Sequence, residues 1–177
     1  MTSSSFAPLP PGPDRDAAVA RLKLALDALE QAYQRLQQYR LDIRRAYAPP
    51  GETLFWALSC DEGFEELIGA GTYETMKASD PDGQILGGIK WARNRVGHQR
   101  ALILRRQYGT VPGKWILGLG VLGTVDDMLW ADTSTIPPGR SAIGRSTYAN
   151  RMSGHPVIEA IASARRWLTE AQVQCGF

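Results

Sequence analysis

The chain has 177 residues, 44% of them hydrophobic, which is enough to enclose one core of ordinary size. Its mean hydropathy is −0.24, and no apolar run approaches the roughly 20 residues of a membrane helix, so a helical membrane protein is excluded. The formal net charge of +2 is unremarkable as a total, and two distant cysteines, Cys60 and Cys175, with two scattered histidines give no metal-ligand spacing. They read as free thiols of a reducing, cytoplasmic compartment, and neither metal nor cofactor is expected.

Residues 1–13 are rich in Ser and Pro and lack an apolar signal core, so they read as a disordered leader before a single helical domain over 14–177. From Asp14 to about Tyr47, the residues Leu22, Leu26, Leu29, Tyr33, Leu36, Ile43 and Tyr47 recur at spacings of three, four or seven. This predicts one long helix, roughly 45–50 Å at 1.5 Å per residue. Pro49-Pro50-Gly51 ends it, and its near-heptad spacing suits a helix hairpin or a dimer seam. A second helix is expected from about Thr53, with Trp56, Cys60, Phe64 and Leu67 on one stripe, closing at Gly69 to Gly71. Asp61 and Glu62 lie off that stripe, either as structural ion-pair partners or as supporting carboxylates of a site.

Ser79-Asp80-Pro81-Asp82-Gly83 is a helix-start signal, with Asp80 as cap and Pro81 in the first helical position. The helix it opens is expected to run to about Arg106, with Ile85, Ile89, Ala92, Val96 and Ile103 toward the core. On the opposite face fall Gly87, Trp91, Asn94, His98, Ala101 and Arg105, with Arg93 on the flank. Interior glycines cost about 1 kcal/mol each relative to Ala. A face holding Gly87, Gly97 and a Trp is therefore expected to pack closely on something, and a subunit interface in a homodimer fits.

Val111 to Pro138 is punctuated by Gly and Trp and reads either as short strands at Lys114–Leu117 and Asp127–Trp130 or as an irregular insertion. Glycines 118, 120 and 123 lack the spacing of a phosphate-binding fingerprint. A short helix is expected within Arg140–Arg151. Pro156 then opens a last helix to about Gln172, with Val157, Ile161, Ala164, Trp167 and Leu168 inward. His155 precedes that proline and reads as a cap or surface residue.

Charge is unevenly placed. No Asp or Glu occurs between Gly83 and Val125, whereas Lys90, Arg93, Arg95, Arg100, Arg105, Arg106 and Lys114 all lie there, and Arg140, Arg145 and Arg151 follow in a second acid-free stretch. Such a field favours a polyanion, RNA here, through counterion release, with Lys90, Arg95, Arg100, Arg105 and Arg106 as the binding residues. The alternative is a solvated face paired with acids such as Asp61, Glu62, Glu65 and Glu66.

Within this field, Arg93-Asn94-Arg95-Val96-Gly97-His98 joins a fork-shaped cation, a carboxamide and a titratable imidazole, a combination suited to chemistry on a phosphodiester. The hexapeptide resembles the Arg-x4-6-His motif, in its Arg-Asn-x-x-x-His form, of the HEPN superfamily. The resemblance implies an all-α, HEPN-like bundle with a long N-terminal helix and a Trp/Gly-rich insertion before the last helices. It also implies a metal-independent endoribonuclease with a cleft shared by two subunits, in which His98 moves protons, Arg93 holds the phosphate and Asn94 orients. A toxin or phage-defence role with a cognate inhibitor protein belongs to the same implication. The chain departs from the nucleotidyltransferase-paired members in having Gln99-Arg100 where they carry a Tyr two residues after the His. The competing class is a non-catalytic dimeric scaffold or regulator that binds protein or nucleic acid through the basic face.

Overall fold

The computed structural model describes residues 8–39, 48–99, 104–112 and 122–177, with side chains at 8–39, 48–95 and 128–177. Order begins earlier than the composition predicts. Leu9, inside the expected leader, packs against the core, and its carbonyl accepts from Arg15 Nη1 at 3.2 Å. Residues 1–7 lie outside the described residues.

Helix α1 spans Pro13–Tyr39 and buries Leu22, Leu29, Tyr33 and Leu36 along the expected stripe. Ile43 and Tyr47 lie outside the described residues. Helix α2, Ala48–Ile68, starts with the two prolines that were expected to end the preceding helix. The first turn of a helix has no intrahelical use for its N–H groups, so Pro49 and Pro50 fit there without loss. Both are buried, and the Pro50 carbonyl accepts from Thr53 Oγ1 at 2.9 Å. Gly69, at φ 83°, then turns the chain into α3, Ala70–Ser79, a helix that periodicity does not reveal because it buries Tyr73 alone.

Helix α4, Pro81–Gln99, begins as the sequence dictates, with Asp80 Oδ1 accepting from the N–H groups of Asp82 at 2.7 Å and Gly83 at 3.2 Å. It does not reach Arg106. Leu104–Pro112 forms strand β1, paired antiparallel with β2, Leu122–Trp130. The apolar residues near Ile103 fit a helix period over too short a span to decide, and pairing nine residues of each strand satisfies the inward-facing half of each backbone. The expected strand at Asp127–Trp130 thus lies within β2, whereas Lys114–Leu117 lies outside the described residues.

The base of the hairpin is tied to the next turn: Trp130 N–H donates to the His155 carbonyl and Gly154 N–H to the Trp130 carbonyl, each at 3.0 Å. Between these points run a short 3-10 turn, Thr133–Thr135, and helix α5, Ala142–Arg151, capped by Ser141. The last helix, α6, spans Val157–Cys175 and ends on Gly176 in the left-handed region. It buries Val157, Ile161, Ala164, Trp167 and Leu168, as its spacing predicts.

The fold is an all-α bundle of six described helices with one β-hairpin inserted between α4 and α5. One continuous apolar cluster links α1, α2, α4, α5 and α6 with the end of β2. Its largest fully buried side chains include Trp91, Trp130, Trp167, Tyr73 and Tyr148, and large apolar side chains contribute about 1.5–3 kcal/mol each when taken from water. No described helix is long and apolar enough to cross a membrane.

Candidate anion-binding cleft on helices α4 and α5

Gly87 and Gly88 of α4 find a partner within the chain. A Cβ on Gly88 would stand 2.7 Å from Met152 Sδ and 3.2 Å from Tyr148 N, and one on Gly144 would stand 3.0 Å from both the Gly87 carbonyl oxygen and Trp91 Cβ. The two helices therefore meet nearly backbone to backbone, and α5 covers the expected interface face at Gly87 and Trp91; Gly97, His98 and Ala101 lie outside the residues whose side chains are described. Trp91, on that face, is 2% exposed; its ring lies 4.7 Å from that of Tyr148, and its Nε1–H donates to the Pro138 carbonyl at 3.1 Å. Tyr148 in turn donates to the Ala131 carbonyl at 2.7 Å, and burial drives its phenol above the ordinary range.

Beside this contact opens a cleft of about 730 Å³, lined on α4 by Lys90, Asn94 and Arg95 and on the opposite wall by Gly139, Arg140, Ser141 and Ile143. Lys90 and Asn94 are four apart on α4, as are Trp91 and Arg95, which places both pairs along one side of the helix. No carboxylate lines the cleft among the described residues. Several cations elsewhere are paired with carboxylates: Arg21 with Glu66, Arg35 with Glu52, Arg165 with Glu30 and Arg166 with Asp82, at 2.6–2.9 Å. Lys90, Arg95 and Arg140 line the cleft together, and Lys90 also acts on Glu65 from the neighbouring side of α4.

Arg95 is the unusual member. It is 8% exposed, its guanidinium lies over the Trp91 ring at 5.7 Å, and its Nε and Nη1 are buried without an acceptor among the described residues. Gly139, at φ +67°, closes over it so tightly that a Cβ there would land on the guanidinium. Leaving a buried charge without a partner is expensive, by several kcal/mol in typical proteins. The N-terminal end of α5 adds the positive pole of its dipole, since Ser141 Oγ accepts from Gly144 N–H at 3.1 Å and both residues line the same cleft.

Of the motif residues, Asn94 is half-buried in this cleft, and Arg93 is exposed beside it, with Nη1 donating to Asn94 Oδ1 at 3.5 Å. The backbone of His98 belongs to α4, four positions after Asn94; its side chain lies outside the described residues. Arg100 also lies outside them. Arg105 and Arg106 stand on β1 opposite Leu129 and Met128, so they are not part of a helical face with Asn94. The same register sets Gln107 and Tyr108 opposite Asp127 and Asp126, bringing acidic residues of β2 alongside a strand whose sequence surroundings are acid-free.

Neither expected supporting carboxylate lines this cleft; Asp61 lines a neighbouring pocket that shares Gly87, Lys90 and Ile143 with it. Asp61 is buried at 1% exposure and ion-paired with Lys77 at 3.1 Å, and Lys77 also meets Glu74 at 2.6 Å. Burial would lower the Lys77 pKa, but the Asp61 and Glu74 carboxylates outweigh it and raise it. Asp61 therefore serves a structural ion pair, and Glu62 is exposed. Among the described residues no group of three or more His, Cys, Asp or Glu stands close enough to hold a metal ion.

No protein-family model, curated protein or solved structure matches the chain. The site is thus read from its own residues. Sequence reasoning named Lys90, Asn94 and Arg95, and of the opposite wall only Arg140, as part of the basic field and without placing it across from them. The available signal was Pro137-Pro138-Gly139-Arg140-Ser141, a turn followed by a cation and a helix cap, which says nothing about which helix it faces.

Proposed function

We propose that the protein binds RNA through the α4–α5 cleft and cleaves it without a metal, with His98 moving the protons. The observation that supports this is Asn94, hydrogen-bonded by Arg93, opening one helical turn before His98 into a cation-lined cleft that has no carboxylate among the described residues. In the reaction the ribose 2′-oxygen forms a bond to phosphorus as its proton passes to a base. The P–O5′ bond breaks, and the leaving oxygen takes up a proton. The products are a 2′,3′-cyclic phosphate and a 5′-hydroxyl. His98 acts as one of these proton-transfer groups, Arg93 stabilises charge on the phosphoryl oxygens, and Asn94 orients the phosphate.

With α5 covering α4 at Gly87 and Trp91, the phosphate-holding cleft is formed within one chain. A homodimer, a toxin or defence role and a cognate inhibitor remain part of the reading only through the HEPN resemblance. The second reading, a module that binds without cutting, is favoured by one observation. The described polar residues of the cleft are Lys90, Asn94, Arg95, Arg140 and Ser141, and none is an imidazole or carboxylate suited to proton transfer near neutrality.

The test incubates wild type, His98→Ala and Arg93→Ala with several RNA classes. Loss of cleavage in both variants, with cyclic phosphate ends from the wild type, supports the nuclease. A folded wild type that binds RNA and cuts none of it establishes the binding module.

A further inference from the structure

We infer that the α4–α5 cleft is a built site for a phosphate monoester, the terminal group of a nucleotide or of an RNA end. Three features argue for a compact dianion rather than a run of backbone. The cleft is concave and bounded, at about 730 Å³ the size of a small-molecule site. It gathers three cations, Lys90, Arg95 and Arg140, around the N-terminal end of α5. A phosphodiester offers one negative charge, whereas a monoester carries roughly 1.5 to 2 at pH 7, together with three acceptor oxygens for these donors.

Arg95 is what makes the site more than a basic surface. The residue is more than nine-tenths buried, lines the cleft, is held in place by Trp91 and Gly139, and has two N–H-bearing nitrogens with no acceptor among the described residues. A phosphoryl group entering the cleft brings the missing opposite charge to the side of a guanidinium that is already held in place. Arg140 and Lys90, both exposed, close on the anion from either wall. Ile143, 82% exposed at the mouth, offers an apolar surface to a base or other group attached to the phosphate.

This inference does not require that the protein cut RNA. The experiment follows the thermal midpoint of the full chain with orthophosphate, then with a nucleoside 5′-monophosphate. It then measures binding of one short RNA bearing either a 5′-phosphate or a 5′-hydroxyl. Ligand at ten times its Kd should raise the midpoint by about 3–6 °C. The 5′-phosphorylated RNA should bind at least tenfold tighter than its hydroxyl form if RNA ends are the source. A response to the mononucleotide with no such preference assigns the site to free nucleotides. Arg95→Met should remove the response while leaving the unliganded protein as stable as wild type or more so, because it replaces an unpartnered buried charge with an apolar chain of similar length. Arg140→Gln, at an exposed position, should weaken binding about tenfold with the fold unchanged. No response in wild type, or equal responses in wild type, Arg95→Met and Arg140→Gln, overturns the inference. RNA cleavage that persists in that case leaves the nuclease reading standing, and a phosphate response without cleavage does the reverse.

Discussion

Substituting two adjacent glycines with Ala should shift stability in opposite directions. Gly87 and Gly88 are both interior to α4, so each change regains about 0.5–1 kcal/mol of helix propensity. At Gly87 the new methyl meets nothing nearer than Thr147 Oγ1 at 3.7 Å, an ordinary contact, and the gain stands. At Gly88 it meets Met152 Sδ at 2.7 Å, with Tyr148 N at 3.2 Å and Tyr148 Cα at 3.3 Å, and the α5 backbone has to retreat. Overpacking of that kind costs about 1–3 kcal/mol, so the net loss is about 1–2 kcal/mol. For a chain of this length about 1 kcal/mol moves the midpoint by 2–4 °C. Gly87→Ala should therefore melt about 1–4 °C above wild type and Gly88→Ala about 2–8 °C below, by circular dichroism at 222 nm. If Gly88→Ala is as stable as Gly87→Ala, α5 does not lie where its contacts place it. A Gly87→Ala protein that is less stable only at high concentration would return that face to a subunit interface.

Tyr148→Phe should lower the unfolding free energy by about 1–3 kcal/mol, because it leaves the buried Ala131 carbonyl without its donor; an unchanged urea midpoint would refute that bond. Burial pushes Asp82 upward, but hydrogen bonds from Arg166 and Ser163 and the Arg166 charge win and hold it below 3.8. A depressed carboxylate stabilises above its unfolded pKa and loses that contribution as pH falls through the folded value. Asp82→Asn should therefore flatten the acid limb below about pH 4 by less than about 1 kcal/mol, since Arg166 is half-exposed, and identical limbs would count against the pair. Burial, aided by Asp61, raises the Cys60 thiol to about 12, so a thiol reagent at pH 8 should label the partly exposed Cys175 first and Cys60 only on unfolding. Equal labelling rates in the native state would contradict the buried position of Cys60.

What was legible in the sequence was local. The Asp80-Pro81 start of α4 and the inward stripes of α1 and α6 depend on neighbours three or four residues away, and they stand where spacing puts them. Pro49-Pro50 shows the limit of such signals. A pair of prolines marks a helix boundary without saying whether it closes one helix or opens the next. The end of α4 was misplaced because β1 is stabilised by β2, a partner whose position no helical period encodes. Gly87 pointed to a neighbour on its side of α4, and its carbonyl does lie against Gly144, yet a second copy and a later segment of the same chain leave the same trace. For the site, Asn94 and Arg95 could be named from the string around them. That Arg95 is sealed beneath Gly139 and faces Arg140 depends on long-range docking alone.

The hydrogen bond from Trp91 to Pro138 joins residues 47 positions apart, with the whole hairpin between them. During synthesis α4 emerges with Arg95 still open to water, and the wall that buries it follows only after β1 and β2. Closing so long a loop has an entropic cost that local helix formation does not. The α5 wall is therefore the part of the bundle whose docking a ligand can most readily reinforce, because an anion bound between Arg95 and Arg140 stabilises the closed arrangement alone. Amide exchange along α5 should then slow when the cleft is filled, while exchange along α1 stays as it was.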